Sequence, residues 1–514
     1  MSVLSLFPVR LMDSNVHALL LSLVGYLLGI AVALALTCYV ASVVYWLRSP
    51  LRKLPGAGEG FPSIFLGSFY WLFRCKLGKY HAAIRELHEK YGPVVALDYK
   101  VVSVSDPQLT KKIVYTLDLP KAPTYRKFKF TGTEVLAMFA SNDVKYHRML
   151  KRTIDQGLSI KALNSMEPLV QDCILNTIEY AKSIQDGSGS GRLDIWALAS
   201  RFTVDVIGQV AYGSDFEMIL KNQNEVVDSI YWIANYLSYK MVVPLFHRIP
   251  FLGINETNRR KTEYVNKIVK GLIHERKSGK TWRNDFLQHI IEATDSETGK
   301  HLSEAEIFAN TLMLFLSGTE STSNTIGFAF IRLLTAPHAL KKLQDELDGA
   351  ELDPRTQSIS YATAKNLPYL TAVLQETMRM DLAFAFGVGR EATEDMDLGG
   401  HFIPKGTLIN VALYPQHYNP KYWKDPDVFN PDRFLDLNDE GAKLQDMGFT
   451  PFSMGSRTCV GKNLAWMEMR LFIANFLRYF DITDIEGQSK EQSSFLTLSL
   501  KFPEYNIAVK PRKI

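Results

Sequence analysis

The sequence predicts a mainly α-helical protein with small β-sheets, preceded by a single transmembrane helix. Three features predict this: an apolar run over residues 18–47, two strand-like segments at residues 94–99 and 101–104, and a long helical pattern over residues 303–336. The 514 residues are 46% hydrophobic and 22% charged, a composition that suits a folded domain with a large core. We therefore expect an anchor, a short connection and one folded domain.

The apolar run over residues 18–47 contains no charged side chain and is rich in Leu, Val and Ala. Its length of about 30 residues is enough to span a bilayer with some tilt, and a cleaved signal peptide has a shorter apolar core. Arg48, Arg52 and Lys53 follow it directly, whereas one basic residue, Arg10, precedes it. The positive-inside rule then predicts a cytosolic location for the rest of the chain. The alternative is a buried core helix.

Three segments follow from the positions of prolines, glycines and apolar residues. Residues 1–47 are predicted to be an N-terminal segment with the anchor, and residues 48–58, rich in Pro and Gly, a stiff hinge. No later break is long enough to separate two domains, so residues 59–514 are predicted to form one domain. Within it, the apolar, proline-interrupted residues 241–254 are either a buried loop or a patch that dips into the membrane.

Charge and cysteine usage exclude several classes of function. The net charge of +4 is too small to indicate a nucleic-acid partner. The four cysteines, at positions 38, 75, 173 and 459, are far apart and form no Cys-x-x-Cys pair. This spacing argues against a zinc site, a c-type haem attachment and a disulfide framework. Reduced thiols and a cytosol-facing domain are the simplest interpretation.

A loop near the C-terminus presents one cysteine between two glycines. It contains Phe452, Gly455, Arg457, Cys459 and Gly461. A thiolate is a soft ligand for iron or zinc, glycines allow tight turns and the close approach of a flat ligand, and a guanidinium matches a carboxylate. A lone cysteine is usually a small buried hydrophobic residue, but the surrounding ten residues favour a metal ligand here.

This loop resembles, at every fixed position, the Phe-x-x-Gly-x-Arg-x-Cys-x-Gly haem signature of the cytochrome P450 family. The resemblance implies the cytochrome P450 fold for the whole catalytic domain, with haem b (iron protoporphyrin IX) as the cofactor. It implies that Cys459 is the metal ligand and that Arg457 contacts a haem propionate. Phe452, Gly455 and Gly461 are then haem-binding residues of the same loop.

The predicted long helix begins with a capping box, in which Ser303 is the cap and Glu306 follows three residues later. The polar residues 317–323 in its middle compete for backbone hydrogen bonds and favour a local kink or widening. They resemble the oxygen-activation segment of the family. The resemblance implies that Gly318 lets the helix pass close over the haem.

The same resemblance assigns catalytic roles. Glu320 and Ser321 would be an acid–alcohol pair that delivers protons to dioxygen, with Thr322 as a substitute alcohol. The sequence departs from the family pattern at Ser317, where Ala or Gly is usual, and at Ser321, where Thr is usual. Serine keeps the hydroxyl but lacks the methyl group that restricts its rotamers, which puts the coupling efficiency in question.

Further residues are assigned by their order along the chain. Glu376, Arg379 and Arg433 resemble the buried triad that locks the cysteine loop. Arg390 corresponds to the strand arginine near a propionate. His147 and Lys151 are the closest fit to the family's propionate donors before the central helix, and the alternative for them is a solvated basic face that meets a reductase.

The implied activity is a membrane-anchored monooxygenase that inserts one oxygen atom of dioxygen into a lipophilic substrate, such as a steroid or sterol, a terpenoid or a fatty acid. The resemblance implies electrons from NADPH through a separate NADPH–cytochrome P450 reductase, with cytochrome b5 as an optional donor, on the cytosolic face of the endoplasmic reticulum. The alternatives are an isomerase or dehydratase that needs no external electrons, and a non-catalytic haem-binding protein. The predicted substrate-pocket residues are Phe384, Phe386, Phe495 and Leu496.

Overall fold

The structure is a computed structural model that describes residues 14–56, 78–130, 132–185, 190–242, 253–279, 282–295, 298–435, 443–444 and 446–512. Residues 57–58 of the predicted hinge and residues 243–252 of the apolar stretch lie outside the described residues. The described part is mainly helical with small sheets, as predicted. Its α-helices are α1 (Ser14–Arg48), α2 (Tyr80–Tyr91), α3 (Pro107–Lys111), α4 (Val144–Gly157), α5 (Ile160–Ser183), α6 (Ile195–Ile207), α7 (Glu225–Val242), α8 (Ile254–Lys277), α9 (Phe286–Glu292), α10 (Glu304–Thr335), α11 (Pro337–Asp348), α12 (Tyr361–Ala364), α13 (Pro368–Met380), α14 (Leu413–His417), α15 (Asp432–Leu435) and α16 (Lys462–Tyr479).

Short strands form four small sheets. Their bounds are β1 (Val94–Asp98), β2 (Val101–Val104), β3 (Gly191–Asp194), β4 (Val388–Glu391), β5 (Met396–Leu398), β6 (His401–Ile403), β7 (Leu408–Val411), β8 (Phe480–Asp484), β9 (Gln492–Ser494), β10 (Leu498–Leu500) and β11 (Asn506–Pro511). The sheets have the orders β1-β2-β7-β4, β3-β11-β8, β9-β10 and β5-β6. β1 and β2 confirm the two predicted strands. β2 pairs with β7 in parallel, and β7 pairs with the antiparallel β4 that carries Arg390.

Helix α1 has 35 residues and ends at Arg48, directly before Ser49 and Pro50. Its segment Leu28–Arg48 is long and apolar enough to cross a membrane. Most of the described side chains of α1 are exposed, as an apolar helix packed in a protein core would not be. This is the one candidate span among the described residues.

The segment after α1 is packed against the folded domain. Residues Pro50–Lys53 form a 3-10 turn that is capped by the Ser49 hydroxyl. Leu51, within the turn, and Leu54, directly after it, are both buried. The Pro55 carbonyl accepts a hydrogen bond of 2.9 Å from the Ala96 amide of β1. The described part of the predicted hinge is therefore held by apolar burial and by pairing with a strand.

Helix α10 runs through the core and packs along α6. The predicted capping box is present, with the Ser303 hydroxyl and the Glu306 carboxylate each accepting the other's backbone N–H. The predicted local widening is absent, because α10 is α-helical from Glu304 to Thr335. The hydroxyls of Ser317 and Ser321 donate to the carbonyls four residues earlier, at 2.8 and 3.2 Å, so they are satisfied without opening the backbone ladder.

Candidate active site

The cysteine loop lies against the segment Lys112–Thr116. Gly455 has a φ of +76°, and a Cβ atom there would lie 2.3 Å from the Val114 carbonyl oxygen, so only glycine fits. The Cys459 amide donates a 3.0 Å hydrogen bond to the Phe452 carbonyl, which closes the loop. The Phe452 ring packs near Trp466 of α16, at 6.3 Å between ring centroids. Backbone contacts thus fix the position of Cys459.

Cys459 lies just before the N-terminus of α16. Its side chain is accessible from one side, while the surrounding protein desolvates the sulfur and raises the pKa of the thiol. The Gly461 N–H and the positive charges of Lys151 and Lys462 act in the opposite direction and favour the thiolate. Gly461 lies in the predicted tight turn, which the 3.4 Å hydrogen bond from the Lys462 amide to the Cys459 carbonyl closes, but its φ of −79° is one that any residue adopts.

The described residues contain no group of three or more His, Cys, Asp or Glu arranged to hold a metal ion. Any metal bound through Cys459 therefore has at most two such protein ligands among the described residues and needs the rest of its ligands from elsewhere. A macrocycle that brings its own nitrogen ligands meets this requirement. The donor set fits a haem and does not fit a tetrahedral zinc site.

The Arg457 side chain, predicted to contact a haem propionate, already has an acidic partner in the protein. Its guanidinium forms an ion pair with Asp118, which also accepts a 2.7 Å hydrogen bond from the Ser456 hydroxyl. The Arg457 side chain is 6% exposed. Its positive charge nevertheless lowers the pKa of His147, which places the guanidinium near that residue.

Arg390 and His147 lie together in a buried basic cluster. Arg390 is 2% exposed, and its Nε atom has no hydrogen-bond partner among the described residues. Burial lowers the pKa of Arg390. Burial first, and then the charges of Lys121 and Arg457, lower the pKa of His147 to about 3. A buried guanidinium with a free N–H is an anion site without its anion partner, and a propionate supplies that partner.

Lys121 belongs to the same cluster and was missed by the sequence reasoning. It is 6% exposed, and its Nζ atom donates to the carbonyls of Met138 and Phe139 at 3.0 and 2.9 Å. Burial first, and then the charges of Arg390 and Arg457, lower its pKa to about 7. A single lysine after an apolar segment carries no sequence signal. Its place in the cluster is fixed by an isolated β-bridge between Lys121 and Arg390.

Lys151 stands at the edge of this cluster. Its Nζ atom forms an ion pair with Asp155, one turn later on α4, at 3.0 Å. The structure therefore satisfies Lys151 within its own helix, although its charge still acts on His147 and on Cys459. Of the two predicted donors on α4, His147 is the buried one and Lys151 the more accessible one.

The predicted acid and alcohol on α10 point in different directions. Glu320 is buried, and its carboxylate accepts a 2.6 Å hydrogen bond from the Thr497 hydroxyl. Ser321 donates to the Ser317 carbonyl instead, and Thr322 is buried. Successive helical residues lie about 100° apart, so adjacent positions do not face each other. Burial raises the pKa of Glu320 to about 7, while the hydrogen bond from Thr497 lowers it.

One stripe of α10 remains accessible within the buried middle of the helix, residues 307–331. It contains Met313, Leu314, Ser317 and Ser321, which recur at three- and four-residue intervals. Ser321 therefore lies on the face of α10 that borders open space. Gly318 borders this face but packs toward α6, where a Cβ atom would lie 2.9 Å from Ile207 Cδ1. Its contact with Ile207 allows the close approach of α6 and α10, and the predicted approach of Gly318 to the haem stays a prediction.

Two of the four predicted pocket residues, Phe384 and Leu496, border the aromatic cluster around Phe139. The Phe384 ring contacts Phe139 edge-on, at 6.2 Å between centroids, and Leu496 packs against the apolar cluster that contains Phe139. Phe386 stacks on Tyr80 of α2, at 4.5 Å between centroids. Phe384, Phe386, Phe495 and Leu496 are all half-buried, as residues of an apolar wall are.

The predicted triad is formed. Glu376 accepts bonds from Arg379 Nε at 2.7 Å and from Arg433 Nε at 3.1 Å. Arg379 Nη1 also donates to the His417 carbonyl at 2.7 Å. The Thr450 amide, which lies shortly before the cysteine loop, donates to His417 Nε2 at 3.4 Å. Burial lowers the pKa of His417 to about 3, so the ring stays neutral and can accept that bond. His417 connects the triad to the loop, and no sequence motif marked it.

Comparison with known proteins agrees with this geometry. The family profile described as Cytochrome P450 matches residues 58–511. The chain is 28% identical to the Cytochrome P450 monooxygenase acrD of Aspergillus aculeatus over 452 residues, which is 86% of this chain and 88% of the relative. It is 28% identical to the Cytochrome P450 monooxygenase LUC2 of a Fusarium species, over 85% and 84% of the two chains. It is also 27% identical to the Cytochrome P450 monooxygenase FUS8 of Gibberella fujikuroi, over 85% and 84%.

The family profile covers almost all of the described residues after α1, including the cysteine loop, the triad and the central helix. The predicted family is therefore confirmed, and the mainly helical architecture with small sheets agrees with its fold. The chain belongs to the cytochrome P450 family of haem-dependent monooxygenases.

Proposed function

We propose that this protein is a haem-thiolate monooxygenase that inserts one oxygen atom of dioxygen into a lipophilic substrate. The carrying observation is that the loop of Cys459 adjoins the buried basic cluster, as a thiolate ligand and a carboxylate site for one haem require. Arg457 of that loop pairs with Asp118, three residues before Lys121, and its charge lowers the pKa of Lys121 and of Arg390. The positive charge of Lys151 lowers the pKa of both Cys459 and His147, and that of Arg457 lowers the pKa of His147. When bound, haem b supplies the iron at which dioxygen is activated.

Cys459 is the residue that would hold the iron. Its loop is closed by the Cys459–Phe452 backbone bond and held against the Val114 carbonyl by the lack of a side chain at Gly455. The Gly461 N–H and the N-terminus of α16 stabilise negative charge on the sulfur. Arg390, Lys121 and His147 would receive the propionates, with Arg390 Nε the donor that lacks a partner.

Glu320 and Ser321 are proposed as the proton-handling residues, with Thr322 as a substitute alcohol. A carboxyl group with a pKa of about 7 is close to half protonated at neutral pH, so it can both give and take a proton. Ser321 offers its hydroxyl on the accessible stripe of α10. Thr322 is buried away from that stripe, which favours Ser321 as the alcohol.

The substrate is proposed to be a steroid or sterol, a terpenoid or a fatty acid. Phe384, Phe139 and Leu496 form an apolar and aromatic wall, which suits a molecule with few polar groups. The apolar span in α1 would hold the catalytic domain at a membrane where such molecules dissolve. Residues 48–58 serve as the connection, and residues 59–514 as the catalytic domain.

Electrons are proposed to come from NADPH through a separate reductase, with cytochrome b5 as an optional second donor. The P450 profile accounts for residues 58–511, and the flavoprotein that reduces this domain is proposed to be a separate partner. The basic residues after α1 suggest a single-pass protein of the endoplasmic reticulum with its domain in the cytosol.

Absorption spectra of the purified full chain test this proposal. We expect a ferric Soret band typical of thiolate ligation, lost in Cys459→Ser, and a low- to high-spin shift with one class of lipophile. With reductase and NADPH, that lipophile should yield an oxygenated product. Folded protein without a haem band, or haem protein that converts the lipophile without NADPH, would overturn the proposal.

A further inference from the structure

Glu320 is connected to the β9–β10 hairpin by a chain of hydrogen bonds. The Thr497 hydroxyl, in the turn between β9 and β10, donates to Glu320 Oε1 at 2.6 Å. The Asn324 side-chain amide, one turn after Glu320 on α10, donates to Thr497 Oγ1 at 3.4 Å and to the Leu498 carbonyl at 3.1 Å. The Tyr231 hydroxyl of α7 donates to Asn324 Oδ1 at 2.7 Å. Three separate elements therefore meet behind the acid.

The donors in this chain all point toward Glu320. The Leu498 carbonyl fixes which end of the Asn324 amide faces the hairpin, because only the NH2 group can donate to it. Asn324 then occupies a lone pair of the Thr497 oxygen, and the single hydroxyl proton of Thr497 is left for Glu320. Aligned donors polarise one another, so the last bond is stronger than an isolated one.

Glu320 depends on this bond. It is buried, and no cationic side chain pairs with it in the part of the chain that the structure describes. The titratable group that senses it across the packing is Tyr231, whose own pKa is raised by burial first and then by the negative charge of Glu320. With no counter-ion, the Thr497 hydroxyl is the group that stabilises the carboxylate.

We propose that Thr497 is a positioning residue for Glu320, and that Asn324 and Tyr231 orient Thr497 for this purpose. The hydroxyl holds the carboxyl group at the hairpin and determines how readily Glu320 takes up and releases a proton. The inference rests on the proposed role of Glu320. Thr497 comes directly after Phe495 and Leu496, so one hairpin turn carries both the apolar wall residues and the hydrogen-bond donor of Glu320.

The first test compares Thr497→Val with Thr497→Ser in the full chain, with reductase and a substrate identified by the spin shift. Thr497→Val removes the donor at nearly constant volume, and Thr497→Ser keeps it. We expect Thr497→Val to lower the product formed per NADPH about tenfold, which corresponds to the loss of one hydrogen bond to a charged group. Thr497→Ser should stay within about twofold of the wild type, as should Thr335→Val, the same change at an exposed position of α10.

The pH profile adds a readout that a merely structural role would not move. Loss of the donor leaves burial unopposed, so the pKa of Glu320 rises, and the limb of the profile that needs the carboxylate should move upward by about one pH unit in Thr497→Val. Thr497→Ser should restore the wild-type limb. An unchanged limb and unchanged coupling in Thr497→Val would overturn the inference.

A thermal-unfolding cycle separates this inference from the proposed function. If Thr497 acts through Glu320, Thr497→Val should lower Tm in the wild type and have much less effect in Glu320→Leu. Additive Tm changes would refute the contact between the two side chains. If Glu320→Gln forms as much product per NADPH as the wild type, the proton role of Glu320 is refuted. The catalytic part of the inference is then refuted with it, whatever the Tm cycle shows.

Discussion

Replacement of Glu376 by Gln tests whether the buried triad carries the stability of the cysteine loop. Glu376 and Arg379 have side chains that are 0% exposed, and Arg433 is 11% exposed. The carboxylate also accepts a 2.9 Å bond from the Asn430 amide. Glutamine keeps the shape but removes the charge, which leaves two guanidinium groups without a counter-ion.

The expected loss of stability follows from this geometry. Breaking a buried ion pair by removing one partner costs about 3–5 kcal/mol, because the remaining charge is desolvated without compensation. Unfolding entropy of about 2.1 cal/mol/K per residue amounts to about 1 kcal/mol/K for a domain of this size. Glu376→Gln should therefore lower Tm by about 3–5 °C.

The assay is thermal unfolding of the purified full chain at one scan rate and one detergent concentration. Glu256→Gln is the matched control, because Glu256 and Arg259 have the same three-residue spacing on a helix but are 68% and 56% exposed. An exposed pair of this kind contributes little, so the control should show no measurable shift in Tm. Equal Tm shifts in the two variants, or no shift in Glu376→Gln, would refute the buried-charge argument.

Three further predictions concern other parts of the domain. Lys121→Met should speed transfer of haem to apomyoglobin about tenfold, since one charge-assisted hydrogen bond to a propionate is lost. Gly318→Ala should lower the free energy of unfolding by about 1–3 kcal/mol, because its Cβ would overlap Ile207, whereas Gly271→Ala, with open space around it, should raise it by about 0.5–1 kcal/mol. His88 is buried and its pKa is lowered from 6.5 to about 4, so it binds its proton more weakly when folded. The free energy of unfolding that depends on neutral His88 is fully present above pH 6.5 and is lost as the pH falls toward 4. In His88→Gln, the decrease in the free energy of unfolding between neutral pH and pH 5 should therefore be smaller by about 2 kcal/mol.

Each of these predictions has a result that would contradict it. The exposed Lys127 provides the control for Lys121, and equal haem loss from Lys127→Met would show a general charge effect. Gly318→Ala should be rescued by Ile207→Val, and an unchanged Tm in Gly318→Ala alone would disprove the close contact. Parallel Tm curves for the wild type and His88→Gln between pH 6.5 and 4.5 would show that His88 is not the titrating group.

The sequence by itself determined the features that short segments of chain encode. Cys459 and Gly455 are recognisable because a loop that presents a thiolate needs these residue types at fixed distances along the backbone. The Ser303 capping box, strands β1 and β2 and the Glu376–Arg379 pair were predictable for the same reason, since each depends on residues within four positions of one another or on strand periodicity. These interactions are local.

The tertiary structure decided which distant groups meet. Lys121 reaches Arg390, His417 connects the triad to Thr450, and Thr497 meets Glu320, although these partners are between 33 and 269 residues apart in the chain. Gly318 proved to face Ile207 because the close approach of α6 and α10 is a property of the packed pair. Such contacts depend on how whole helices and strands pack against one another, and packing is determined by the complementarity of many side chains at once, which no spacing rule along the chain contains.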